Sequence, residues 1–178
     1  LVPSPGYPVY SAACKIAGAK LETFILEQEG NYLPDFDKIP SDVAKAAKMM
    51  WLNYPNNPTG AIATLEFFEK AVAFAKENEI LLVHDAPYTD VCYGDYQPPS
   101  ILQVPGAKEI SVEFNSLSKT YNMAGWRVGY ICGNDDVVKH LKTYKSQLDS
   151  ANFAPVLDAA IYAITSDQTW LEERNRIY

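Results

Sequence analysis

Two continuous apolar runs, MMWLNY at 49–54 and ILLVHD at 80–85, flank a helical stretch, TLEFFEKAVAFAKENE at 64–79. A strand that is apolar at consecutive positions has no wet face, so it belongs in a sheet covered on both sides. A helix joining two such strands is the crossover of a parallel β-α-β unit. Thr64 stands where a side-chain oxygen can cap the helix, and Leu65, Phe68, Val72 and Ala75 recur at helical spacing as its expected core face. The alternation continues in both directions. Helices are predicted over 8–18, 41–48, 135–150, 154–166 and from 170 onward, strands over 21–26, 109–116 and 126–133, and an irregular stretch over 27–40. The expected fold is α/β, with three layers and helices on both faces of a mostly parallel sheet.

The 178 residues fit one domain. A net charge of -7 without a clustered basic stripe argues against nucleic acid as a partner, because phosphate binding needs concentrated Lys and Arg. No apolar run approaches a membrane span, so no membrane association is expected. Cys14, Cys92 and Cys132 are far apart and have no C-x-x-C spacing, which fits neither a disulfide framework nor a zinc site and suits a reducing cytoplasm. The opening LVPSPGYPVY has neither the charge nor the length of a signal peptide. It reads as a strand end entering a proline-fixed turn, and WLEERNRIY reads as a helix still in progress. The expectation is a piece of a longer protein.

In open α/β sheets ligands bind beyond the carboxyl ends of the strands. Three segments follow such ends: Asn56-Asn57-Pro58-Thr59-Gly60, Asp85-Ala86-Pro87-Tyr88 and Ser116-Leu117-Ser118-Lys119. Each has a plain reading by itself. The first is a proline-directed turn, Asp85 a turn acceptor, Tyr88 a packing aromatic and Lys119 a solvated cation. Together they place an amide, a carboxylate, a phenol and an amine with hydroxyls just past buried strands, and Arg127 follows eight residues after Lys119.

This set, NNPTG, D-x-x-Y and S-x-S-K…R-x-G, resembles the fold-type I pyridoxal-phosphate enzymes, specifically the class I/II aminotransferases, in order and in spacing. The resemblance covers essentially the whole chain. NYPNNPTGAIATLEFFEKAVAFAK and SLSKTYNMAGWRVGY are worded most like the LL-diaminopimelate aminotransferase branch. It implies that residues 1–178 are the cofactor-binding large domain, incomplete at both ends and without the small domain. The implied cofactor is pyridoxal 5'-phosphate, and the implied activity moves an amino group between an amino acid and a 2-oxo acid, with LL-2,6-diaminopimelate and 2-oxoglutarate as one pair.

Residue by residue, the resemblance makes Lys119 the Schiff-base lysine, its amine favoured in neutral form by a desolvated site, and afterwards the proton carrier. Asp85 pairs with the pyridine nitrogen. Asn57 and Tyr88 hold the phenolic oxygen, while Arg127, Ser116 and Ser118 hold the phosphate. Tyr7 stacks on the ring, although a tyrosine packed on its own turn reads nearly as well from the residues. The family also implies a homodimer, and a fragment lacking the remaining segments is expected to turn over little. Rival readings keep the same residues: an aspartate, alanine or aromatic aminotransferase, a pyridoxal-phosphate C-S lyase, or an aminotransferase-like sensor domain of a transcription regulator. A P-loop is excluded, because Ser118 and Glu113 stand where its glycines belong. His84 and His140 lack ligand spacing, so no metal is expected, and His84, beside Asp85, is read as a residue that supports the site from behind or as a packing residue.

Overall fold

The computed structural model describes residues 1–149 and 151–178. In chain order the elements are β1 (Val2–Ser4), α1 (Pro8–Ile16), β2 (Thr23–Ile25), α2 (Ser41–Ala46), β3 (Met49–Asn53), α3 (Leu65–Glu77), β4 (Leu81–Asp85), β5 (Ser111–Ser116), α4 (Leu117–Thr120), β6 (Gly129–Gly133), α5 (Asp135–Leu148), α6 (Ala154–Thr165) and α7 (Trp170–Ile177). The irregular stretch after β2 holds two short 3-10 turns, Gln28–Gly30 and Phe36–Lys38.

Strands β3, β4 and β5 are parallel neighbours, and β6 pairs antiparallel with β5. β1 and β2 form a separate parallel pair. It adjoins the larger sheet through Leu1, whose ammonium donates to the Met49 carbonyl at 2.7 Å and whose carbonyl accepts from Trp51 N–H at 3.0 Å.

The apolar runs behave as strands covered on both faces. Leu82, Val83 and His84 are consecutive and all buried. On one face α3 packs, with Phe68 tilted against the His84 ring at 4.7 Å. On the other α1 packs, with Tyr10 stacked on Trp51 at 4.8 Å. Helices on opposite faces make the three layers, and full burial of side chains such as Phe68 and Leu82 stabilises the fold by about 1.5–3 kcal/mol each.

Helix α3 starts as expected, with Thr64 Oγ1 accepting from Phe67 N–H at 3.2 Å. Its buried face is Phe67, Phe68, Ala71, Val72 and Ala75. Leu65, expected on that face, is 39% exposed. Its angle is right but it opens the helix, one turn before Phe68, where the core ends. Phe67 fills the adjoining space, edge-on to Tyr54 at 5.4 Å and stacked on Phe36 at 5.9 Å.

Two further differences concern where β6 begins and where α5 ends. β6 begins at Gly129 rather than at 126, because Ala124–Trp126 forms a 3-10 turn and Arg127 takes a left-handed backbone with φ 56°. Gly129 is required there, since a Cβ would come within 2.7 Å of the Asn115 carbonyl across the strand pair. Helix α5 ends at Leu148, and Ser150, the last position of the predicted helix, lies outside the described residues. A second small core, Leu117, Met123, Val128 and Ala160, supports the 117–128 loop from α6. No helix among the described residues is long and apolar enough to cross a membrane.

Candidate active site

The parallel register aligns the ends of β3 and β4, with Asn53 opposite Asp85. Asn53 braces both neighbours: its amide donates to the Asp85 carbonyl at 2.7 Å, and its side-chain oxygen accepts from Asn57 N–H at 2.7 Å. The NNPTG turn is then closed by Asn56, whose side-chain oxygen accepts from Thr59 N–H at 3.1 Å and from the Thr59 hydroxyl at 2.7 Å. These bonds fix the backbone that presents Asn57. Asn56 works as a turn acceptor, the role that Asn residues take where no strand partner is available.

Beyond β5 the chain winds into the single turn α4, which carries Ser118 and Lys119. Ser116 caps it, its hydroxyl accepting from Ser118 N–H at 3.2 Å. The loop then returns through Arg127, whose guanidinium donates to the Ala124 carbonyl at 2.8 Å. A cleft of about 320 Å³ opens between these segments and α1. All eight residues singled out in the sequence line it: Tyr7, Asn57, Asp85, Tyr88, Ser116, Ser118, Lys119 and Arg127.

Lys119 is exposed at the rim, so the desolvated setting expected for its amine is not what these residues supply. Its ammonium lies over the Tyr88 ring, 5.7 Å from the centroid. Tyr7 is 42% exposed and meets Tyr10 edge-on at 5.8 Å.

Tyr10 and Asn53 also line the cleft and were not anticipated. Tyr10 is 2% exposed, and its hydroxyl donates to Asp85 Oδ2 at 2.5 Å. Burial pushes the Asp85 carboxyl up from its ordinary value, while the Tyr10 hydrogen bond and the neighbouring His84 pull part of that back. Burial, and then the Asp85 charge, push the Tyr10 hydroxyl up as well, so Tyr10 remains a donor. The only sequence signal for Tyr10 is its place one helical turn after Tyr7, on the same side of α1.

Beneath Asp85, His84 is fully buried as a packing residue with a polar duty. Its Nδ1 lies 3.0 Å from Glu113 Oε2 and its Nε2 lies 3.0 Å from the Tyr54 carbonyl. Glu113 also accepts from the Ser100 hydroxyl at 2.8 Å and from the Asn115 amide at 3.1 Å. This network ties β4 to β5 on the α3 face of the sheet, opposite the face that carries Tyr10.

The family model described as aminotransferase class I and II matches residues 1–178. The chain belongs to that family. Similar class I/II aminotransferases include LL-diaminopimelate aminotransferase 2 of Trichormus variabilis, 50% identical over 100% of this chain and 46% of that protein. LL-diaminopimelate aminotransferase of Syntrophobacter fumaroxidans is 51% identical, again over 100% of this chain and 46% of that protein. Among solved structures, substrate-bound BacF from Bacillus subtilis superposes with a TM-score of 0.96 at 42% identity, over 99% of this chain and 45% of that chain. The chain therefore spans about half the length of the curated relatives it matches.

Proposed function

We propose that residues 1–178 are the cofactor-binding large domain of a pyridoxal-phosphate-dependent aminotransferase whose preferred reaction exchanges an amino group between LL-2,6-diaminopimelate and 2-oxoglutarate. The observation that carries the reading is one cleft lined by an amine, a carboxylate, a phenol and a carboxamide that follow three strand ends, with a guanidinium from the loop before β6. That donor set suits a small aromatic phosphate bearing an aldehyde: a cation and two serine hydroxyls for the phosphate, a carboxylate for a protonated ring nitrogen, and an amine for the aldehyde. The names of relatives about half identical across the chain support the choice of substrate.

Pyridoxal phosphate, when bound, supplies an aldehyde that bonds to amines and a ring that takes up the electron pair released at the substrate α-carbon. Asp85 would keep a proton on the ring nitrogen, its carboxylate oriented by Tyr10. Asn57 and Tyr88 would donate to the phenolic oxygen. Arg127, with Ser116 and Ser118, would hold the phosphate. Tyr7 would cover the ring. Lys119 would hold the cofactor through its aldehyde, and its amine would serve as the proton carrier for the substrate α-carbon. We place the whole protein as a homodimer acting on amino-acid and 2-oxo-acid pairs, and this chain by itself as turning over little.

The test is to add pyridoxal phosphate to the full-length protein, reduce with borohydride and locate the modified lysine by mass spectrometry. Label at Lys119, abolished by Lys119→Ala, is the expected result; label at another lysine refutes the site. Steady-state kinetics across LL-diaminopimelate, alanine, aspartate and aromatic donors then decides the substrate, with a cysteine conjugate included to detect elimination in place of transfer.

A further inference from the structure

Arg174, on α7, is only 6% exposed although it carries a permanent charge. Among the described residues no carboxylate forms an ion pair with it. Backbone oxygens surround it instead. One terminal nitrogen donates to the Thr120 carbonyl and also, at 3.4 Å, to the Lys119 carbonyl. The other donates to the Asp90 carbonyl. Asn175 reinforces the arrangement: its oxygen accepts from Arg174 Nε–H at 3.2 Å, and its amide donates to the same Asp90 carbonyl at 3.0 Å.

These acceptors belong to two separate segments of the candidate site. Lys119 and Thr120 form the end of α4, and Asp90 lies two residues after Tyr88. A side-chain bond runs parallel to the guanidinium, from the Thr120 hydroxyl to Asp90 Oδ2 at 2.9 Å. Burying a charge is costly unless its N–H groups find acceptors. A planar fork that spends them on carbonyls of two segments holds those segments at one separation, which a point-like ammonium cannot do.

We propose that Arg174 is a positioning residue for Lys119. From α7 it clamps the turn that carries Lys119 to the loop that carries Tyr88, and so sets how the lysine amine meets the Tyr88 ring it overlies. Arg174 does not line the cleft and reaches it through the backbone carbonyls of Lys119, Thr120 and Asp90. The proposal rests on Lys119 being the cofactor lysine.

The experiment uses the full-length protein as wild type, Arg174→Lys, Arg174→Met and Asn175→Ala. Each is melted without cofactor. Each is then loaded with pyridoxal phosphate and compared for cofactor release rate, visible circular dichroism and the pH midpoint of the visible absorbance. Arg174→Lys keeps the charge and provides a folded comparison if Arg174→Met does not fold. Its release rate is expected to rise about tenfold, in line with the loss of charge-assisted hydrogen bonds, with a weaker visible dichroic band and a displaced pH midpoint. Asn175→Ala, which loosens the Asp90 side alone, is expected to shift the same readouts less. If Arg174→Lys lowers the melting temperature but leaves release, dichroism and pH midpoint at wild-type values, the residue is merely structural and the proposal is overturned. Borohydride labelling of the wild type at Lys119 separates that outcome from failure of the site reading, since label elsewhere removes both.

Discussion

Tyr10→Phe removes one hydroxyl and leaves the ring. The stack on Trp51, with planes 20° apart, and the burial to 2% exposure both survive, so the packing of α1 on the sheet is kept. What is lost is the 2.5 Å bond from the phenol to Asp85 Oδ2. Hydrogen bonds to charged groups contribute about 1.5–3 kcal/mol, a factor of roughly ten to a hundred in an equilibrium constant. Because this bond favours the ionised carboxylate, its loss would, on the proposed function, weaken the hold of Asp85 on a protonated ring nitrogen, and pyridoxal phosphate affinity should fall by up to that factor. The sign of the pH effect follows from the opposing influences on Asp85. Burial raises its carboxyl and the Tyr10 bond lowers it. Without Tyr10 the carboxyl rises further, so Asp85 is protonated earlier on acidification and the acid limb of cofactor binding moves to higher pH. Fluorescence titration of the full-length protein with pyridoxal phosphate over a pH series, beside thermal melting, measures both effects. An unchanged affinity, or an acid limb displaced to lower pH, would refute the reasoning.

Phe68→Ala, at a fully buried position between α3 and the sheet, should cost about 3–5 kcal/mol of stability in urea unfolding. Glu113→Gln should flatten the acid side of the stability curve. Burial would raise the Glu113 carboxyl, but its hydrogen bonds to His84, Ser100 and Asn115 outweigh that and hold it below the ordinary 4.5. Its ionised form therefore stabilises the fold fully above the unfolded value, and that stabilisation is lost as pH falls through the lower native one. Urea midpoints recorded from pH 7 downward should converge for wild type and variant; parallel curves would contradict the assignment.

The strand ends were legible in the sequence because the two apolar runs stop abruptly at polar residues, and a parallel sheet brings such stops to one edge. Asn57, Asp85, Ser116 and Lys119 follow from that logic. Tyr10 and Arg174 do not, because each acts through a partner far along the chain, Asp85 in one case and Asp90 with Thr120 in the other. Hydrophobic spacing says which face of α1 or α7 is buried, but not which carboxylate or carbonyl lies behind it. α4 was missed because a single turn has no period to detect. The left-handed backbone of Arg127 was missed because positive φ is signalled by Gly or Asn, not by Arg.

The antiparallel pairing of β6 with β5 has a further consequence. Ser116 and Gly129 face each other across that pair, so the whole excursion of residues 117–128 starts and finishes at the same edge of the sheet. A parallel continuation would have carried the chain to the far edge before the next strand began. The reversal turns the loop into a caliper whose two jaws are Lys119 and Arg127 and whose hinge is the Ser116–Gly129 pair. Its opening is set by loop length, so inserting or deleting one residue between the jaws alters the distance between the Lys119 amine and the Arg127 guanidinium while leaving both groups chemically intact.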